Sequence, residues 1–198
     1  MCDNMSNFTF HATSIEGVFL IDVKCYTDER GSFMETYHEE AFRTAGLNYR
    51  FVQDNQSSSR KGVLRGLHFQ KHYAQAKLVR VLQGEVFDVA VDLREGSKTY
   101  GKWVGEILSA ENHSQLMIPR GFAHGFLVLS DTAVFAYRCD EFYHPEDEGG
   151  ILWNDPALGI TWPTDGAVII NEKDKNRPTL AECGYRYHEG TLADREKV

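Results

Sequence analysis

The segment GEVFDVAVDL constrains the fold more than any other part of this chain. Phe87, Val89, Val91 and Leu93 alternate with Val86, Asp88, Ala90 and Asp92. A period of two is the signature of a strand with one face buried and one face wet. Similar short runs follow in KWVGEILS, SQLMIP, HGFLVLS and AVFAYRCDEF, divided by the turn signals QGE, REGS, SAEN and PRGF. Short strands recurring roughly every 8–12 residues predict an all-β β-sandwich or jelly roll. Glycine at 17 residues and aromatics at 12% suit such a turn-rich chain, and 198 residues are enough for a sizeable core.

The flanking segments add detail. GVFLIDVKCYTDERGSFMETYH reads as two strands about a turn at 28–31, where Asp and Gly suit turn geometry. EEAFRTAGL is the best helix candidate, acidic at its start and ended by Gly46. YRFVQDNQSSS reads as a strand running into a polar loop, and HPEDEGGILWNDPALGITWP as a long irregular segment. With no internal repeat or linker, residues 1–198 are expected to form one domain, a β-sandwich or jelly roll, with short peripheral helices and a flexible charged tail over 188–198.

A net charge of −8 argues against a nucleic-acid partner, which needs a basic face. It leaves room for a small diphosphate held by a few converging arginines. Cys2, Cys25, Cys139 and Cys183 form no C-x-x-C pair. The start MCDNMSNFTFHATSIEG lacks a basic leader with an apolar core, and no apolar run reaches membrane-spanning length. A cytoplasmic protein with reduced thiols and no membrane partner is expected.

Two polar residues in the strand-like GVLRGLHFQ, Arg65 and His68, demand a reason. Three steps along an ideal strand put them on opposite faces, but Gly66 permits a bulge that brings both to one side. The segment also resembles the first half of the cupin signature, and PRGFAH places Pro119, Gly121 and His124 at the spacing of its second half. His68 and Gln70 then replace the usual pair of histidines, and Lys77 stands where a metal-binding glutamate is usual. An ammonium there repels a divalent cation and replaces its charge, so a metal-free barrel is expected. Read locally, Lys77 is as well explained as a surface lysine, Tyr137 as a core tyrosine and Asp174 as a solvated charge.

Longer blocks carry a stronger signal. FVQDNQSSSRKGVLRGLHFQ, AKLVRVLQGEVFDVAVDLR, YGKWVGEILSAENHSQLMIPRGFAHGFLVLS and GGILWNDPALGITWP resemble the dTDP-4-dehydrorhamnose 3,5-epimerase family over roughly 17–178. The resemblance implies a cupin-type jelly-roll β-barrel that inverts C3 and C5 of a nucleotide-linked 4-keto-6-deoxy sugar without a cofactor. His68 would be the general base, Asp174 its orienting partner, Tyr137 the acid and Lys77 the group at the keto oxygen. Arg30, Glu35, Gln53, Asp54, Asn55, Arg65, Lys77, His124, Glu148 and Lys173 would contact the nucleotide sugar. The family's dimers exchange N-terminal strands, which implies a homodimer exchanging residues 8–36, with Arg30 and Glu35 serving the partner's site. A single-centre epimerase, a metal-dependent cupin and a non-catalytic sugar-nucleotide sensor are the competing readings, and fold alone separates none of them.

Overall fold

The computed structural model describes residues 7–164 and 167–188. Apart from His188, the tail expected over 188–198 lies outside the described residues.

The N-terminal part contains β1 (Phe8–Ala12), β2 (Phe19–Val23), β3 (Cys25–Asp28), β4 (Gly31–Met34) and α1 (Glu39–Thr44). The centre follows as β5 (Gln53–Arg60), β6 (Leu64–Gln70), β7 (Lys77–Gln83) and β8 (Glu85–Asp92). Then come β9 (Trp103–Ser109), β10 (Gln115–Ile118), β11 (Phe122–Val128), β12 (Thr132–Cys139) and β13 (Glu148–Gly150). Two short helices close the described chain, α2 (Glu172–Lys175) and α3 (Leu180–Cys183).

A six-stranded sheet in the order β1-β2-β10-β7-β12-β5 faces a five-stranded sheet in the order β13-β6-β11-β8-β9. All pairings within them are antiparallel, the arrangement of a jelly roll of the cupin type. Val79, Val81 and Phe135 from one sheet meet Val86, Ala90 and Phe126 from the other, and this interior forms the central core. Phe126 and Phe135 stack with ring centroids 4.1 Å apart.

Both sheets are also covered outside. The irregular stretch after β13 lays Ile151, Leu158 and Trp162 over Val89, Val91 and Leu93. Strand β8 is therefore buried on both faces, not half-buried as its alternation suggests. Helix α1 covers the other sheet, with Phe42 buried against Phe8, Ile21 and Leu78. The His38 side chain caps it by accepting from the Ala41 N–H.

Two local expectations are corrected. The polar end of YRFVQDNQSSS, read as a loop that follows a strand, belongs to the eight-residue edge strand Gln53–Arg60. Its partner β12 supplies the ladder from Gln53↔Cys139 to Arg60↔Thr132, so pairing imposes a strand that composition does not announce. The first apolar run forms β2 as well as the hairpin β3–β4 around the expected turn, giving three strands where two were read. Because β1 and β2 pair within the chain's own sheet, only the hairpin of the 8–36 segment stands apart from both large sheets.

Candidate active site

The site lies between the two sheets, where β5, β12 and β7 face β6 and β13. Cross-strand register builds one wall: Gln53, Cys139 and Lys77 form one row across β5, β12 and β7, and Asn55 and Tyr137 belong to the next. The opposing wall has His68 and Gln70 from β6 with Glu148 from β13, which pairs directly with Gln70. These eight residues, with Phe69, Gln75 and Tyr143, line a cavity of about 260 Å³.

The orientation of His68 depends on a bulge. Strand β11 advances two residues, from His124 to Phe126, while β6 advances three, from His68 to Arg65. The extra residue places Arg65 and His68 on the same face, as Gly66 was expected to allow. Gly66 has φ +130°, and a Cβ there would lie 2.5 Å from Gly125 Cα and 2.9 Å from the His124 carbonyl oxygen. Only glycine fits that approach.

His68 Nε2 lies 2.7 Å from Asp174 Oδ1. Asp174 is 1% exposed, so the solvated-charge reading of this residue is corrected. Its other oxygen accepts from the Gly66 N–H at 3.5 Å and from the Asn171 amide at 3.2 Å. Burial alone would raise its pKa; the bond and charge of His68, the Gly66 N–H and the Arg177 charge outweigh that and hold it below the usual carboxylate range. An ionised carboxylate at Nε2 holds the proton on that nitrogen and leaves the lone pair on Nδ1.

Lys77 projects into this cavity, so its surface-lysine reading is corrected as well. Burial depresses its pKa, while Cys139, Asp88 and Glu148 act in the opposite sense. Its Nζ lies 6.0 Å from the centre of the Tyr137 ring. Burial, followed by the influence of Cys139, raises the pKa of Tyr137, although Arg65 opposes the shift. Tyr137 is thus a protonated phenol facing the cavity, not a sealed core residue. Cys139 beneath it is a neutral thiol, its pKa pushed by burial to about 11.

Glu148 is a hub. It accepts from the Tyr143 hydroxyl at 2.7 Å and from Lys173 at 2.6 Å, and it is paired with Arg177. Burial opposes ionisation, yet the bonds from Lys173, Tyr143 and Arg177 bring its pKa down to about 2.

Several expected contacts stand elsewhere. Asp54 points away from Gln53 and Asn55, because strand alternation turns it to the outer face beside Arg138. His124 is His68's cross-strand neighbour but does not line the cavity; its Nε2 lies 2.9 Å from the buried Asp88. Burial lowers the pKa of His124 while Asp88 raises it. Arg65 bonds Ser59 on β5 through Nε. Arg30 pairs with Asp28 at the tip of β3–β4, and Glu35 accepts from Asn7, so neither reaches this chain's cavity.

Sequence reasoning missed Gln75, Cys139 and Tyr143 in the lining and Asp88 and Arg177 behind it. Asp88 gave the one available signal, an acidic residue inside an apolar alternation. Among the described residues, no group of three or more His, Cys, Asp or Glu side chains is arranged to hold a metal ion. The Gln70 amide at the second-histidine position is bonded to two loops.

With this geometry in hand, the chain can be placed among known proteins. It is 56% identical over 180 residues to the dTDP-4-dehydrorhamnose 3,5-epimerase of Methanothermobacter thermautotrophicus, covering 90% of this chain and 97% of that one. The Legionella pneumophila epimerase RmlC, solved in complex with dTDP-4-keto-L-rhamnose, superposes with a TM-score of 0.87. It is 50% identical, with 91% and 99% of the two chains covered. ChmJ, a 3'-monoepimerase from Streptomyces bikiniensis solved with dTDP-quinovose, superposes with a TM-score of 0.84. It is 36% identical, over 88% of this chain and 89% of its own. The sequence profile described as dTDP-4-dehydrorhamnose 3,5-epimerase matches residues 12–182, and the chain belongs to that family.

Proposed function

We propose that this protein inverts C3 and C5 of dTDP-4-dehydro-6-deoxy-D-glucose, giving dTDP-4-dehydro-L-rhamnose in dTDP-L-rhamnose biosynthesis. The observation that carries the reading is the division of the groups between the sheets. The His68–Asp174 pair stands on one wall, and Lys77 and Tyr137 stand on the other. A sugar ring lying between them meets a base on one face and an acid on the other, which is what inversion needs.

The 4-keto group acidifies the hydrogens on both neighbouring carbons, so no redox step is required. His68 Nδ1 takes the proton from C5 or C3, and Asp174 stabilises the imidazolium. The electron pair moves onto the C4 oxygen, where the Lys77 ammonium stabilises the enolate; one such donor is worth about 3–4 kcal/mol in a site closed to water. Tyr137 delivers a proton to the opposite face, and its raised pKa keeps that proton available until then. Gln53 and Asn55 hold the nucleotide end, with Arg65 on the diphosphate. Glu148 and Lys173 shape the sugar end as an ion pair. His124, backed by Asp88, supports His68 from behind.

The working unit is a homodimer of single-domain chains in the cytoplasm. Support comes from the hairpin β3–β4, which stands apart from both large sheets and leaves Phe33 71% exposed. Strand β4 of the hairpin lines an outer cavity of about 370 Å³ together with Arg80, and Arg50 and Arg138 line a second one of about 490 Å³. A second copy laying its hairpin across this face would bring Arg30 and Glu35 to its partner's nucleotide. No helix among the described residues is long and apolar enough to cross a membrane.

The second reading is a single-centre epimerase, favoured by the likeness to the 3'-monoepimerase. Incubation with dTDP-4-keto-6-deoxy-D-glucose in deuterated water, followed by NMR, separates the two. Deuterium at C3 and C5 supports the double epimerase; deuterium at one centre supports the alternative; none at either overturns both.

A further inference from the structure

Gln70 stands two residues beyond His68 on β6, so both side chains leave the strand on the same face. It is 4% exposed. Its Nε2 donates to the Tyr73 carbonyl at 2.6 Å and to the Phe142 carbonyl at 3.0 Å. Its Oε1 accepts from the His144 N–H at 2.6 Å. The amide thus tethers two loops, and two of its three partners flank Tyr143.

Tyr143 is held in other ways too. Its own N–H donates to Gln53 Oε1 at 2.9 Å. Its hydroxyl donates to Glu148 Oε2 at 2.7 Å, and Glu148 is the cross-strand partner of Gln70. The bonds close a circuit from Gln70 through Phe142 and His144 to Tyr143, on to Glu148 and back to β6. Yet Tyr143 is 49% exposed and lines the cavity. A half-exposed loop ring ordinarily keeps much of its freedom, and ordering it on ligand binding costs affinity or rate. Here two glutamines and a glutamate order it before any ligand arrives.

We infer that Gln70 is a positioning residue for the reaction: it clamps the loop after β12 so that Tyr143 forms a fixed wall of the sugar site. The inference rests on the epimerase reading. Its consequence follows from the geometric tolerance of proton transfer, where a misplacement of about 1 Å costs on the order of 10²-fold in rate.

The test compares the full-length protein with Gln70→Met, Tyr143→Ala and the double variant. Each is followed by deuterium incorporation into the 4-keto sugar, by dTDP binding, and by backbone amide exchange at Tyr143 and His144. Each single substitution is expected to lower kcat for deuterium incorporation by about 10–100-fold and leave dTDP affinity unchanged. The double variant should be no slower than Tyr143→Ala, since Gln70 acts through that ring. The His144 amide should be protected in the unmodified protein and lose protection in Gln70→Met. Losses that multiply in the double variant, or a Gln70→Met rate equal to the parent's, overturn the inference. If Gln70→Met does not fold, an unprotected His144 amide in the unmodified protein overturns it equally. Absence of deuterium incorporation by the unmodified protein counts against the epimerase reading instead, and amide protection then judges the clamp alone.

Discussion

His68 Nε2 and Asp174 Oδ1 lie 2.7 Å apart although 106 residues separate them in the chain. The bulge at Gly66 turns the imidazole inward, and the same residue's N–H helps hold the carboxylate. Base, partner and backbone distortion form one device. Asp174→Asn keeps its shape but removes the charge that fixes the tautomer. It is expected to lower kcat by about 10³–10⁴-fold with dTDP affinity little changed, by analogy with other base–carboxylate pairs. His68→Asn should abolish deuterium incorporation at both carbons while nucleotide binding persists. Calorimetry with dTDP and NMR in deuterated water check both, and an Asp174→Asn loss below tenfold would remove the carboxylate from the mechanism.

In the proposed mechanism, Tyr137 separates exchange from inversion. With the phenol gone, His68 still removes a proton and returns a deuteron to the same face. Tyr137→Phe is therefore expected to incorporate deuterium with configuration retained, while inverted product falls by about 10²-fold or more. NMR couplings of the recovered sugar distinguish the two. Inversion at the parent's rate would assign the acid elsewhere.

Much of the fold was legible, because β8 carries a period-two pattern and β9 to β12 are short apolar runs divided by turn residues. Strand β5 was not: Gln53 to Arg60 contains no apolar residue, and its extended form comes from the β12 ladder. The burial of Asp174 is likewise tertiary, created by β6 folding against the start of α2. A contiguous family motif suggested that Gln53, Asp54 and Asn55 act together, yet alternation sends Asp54 to the other face. His124 is expected as a substrate contact, and the pairing of its Nε2 with Asp88 across β8 and β11 is not announced by the residues around it. Local chemistry was readable wherever one strand determined it and hidden wherever two segments met.

The role proposed for Lys77 predicts an alkaline limit. Burial lowers its pKa from the ordinary 10.5, so the ammonium is lost at a lower pH than in a free lysine. Enolate stabilisation needs the charged form, and kcat should fall as pH rises through that lowered value. Lys77→Met should lose about 10²–10³-fold and show no such limb in its residual activity. A pH–rate profile of both proteins checks this, and an alkaline limb surviving in Lys77→Met would point to another group.

Gly66 is the position where a methyl group should do most harm. A Cβ would overlap Gly125 Cα, and φ +130° is unfavourable for any L side chain. Gly66→Ala is expected to cost about 2–4 kcal/mol, combining backbone strain with overpacking. It should also weaken activity beyond the stability loss, since the bulge aims His68. Chemical denaturation and kcat measured well below the midpoint test the two effects separately, and a loss under 1 kcal/mol would show that the bulge tolerates a side chain.

Glu148 should dominate acid sensitivity near the site. Its pKa falls from 4.5 when unstructured to about 2 in the folded protein, through Lys173, Tyr143 and Arg177. A depressed carboxylate pKa gives stability that is fully present above the unfolded value and is lost as pH drops towards the folded one. The window is therefore about pH 5 down to pH 2, and the linkage corresponds to about 3 kcal/mol at most. Glu148→Gln cannot titrate, so its stability should fall less across that window even though it starts lower at neutral pH, where Lys173 and Arg177 have lost their anion. Urea denaturation at pH 5, 4 and 3 compares the slopes. Parallel curves for the two proteins would mean that Glu148 holds an ordinary pKa and that Asp147 and Asp174, also depressed, carry the acid response.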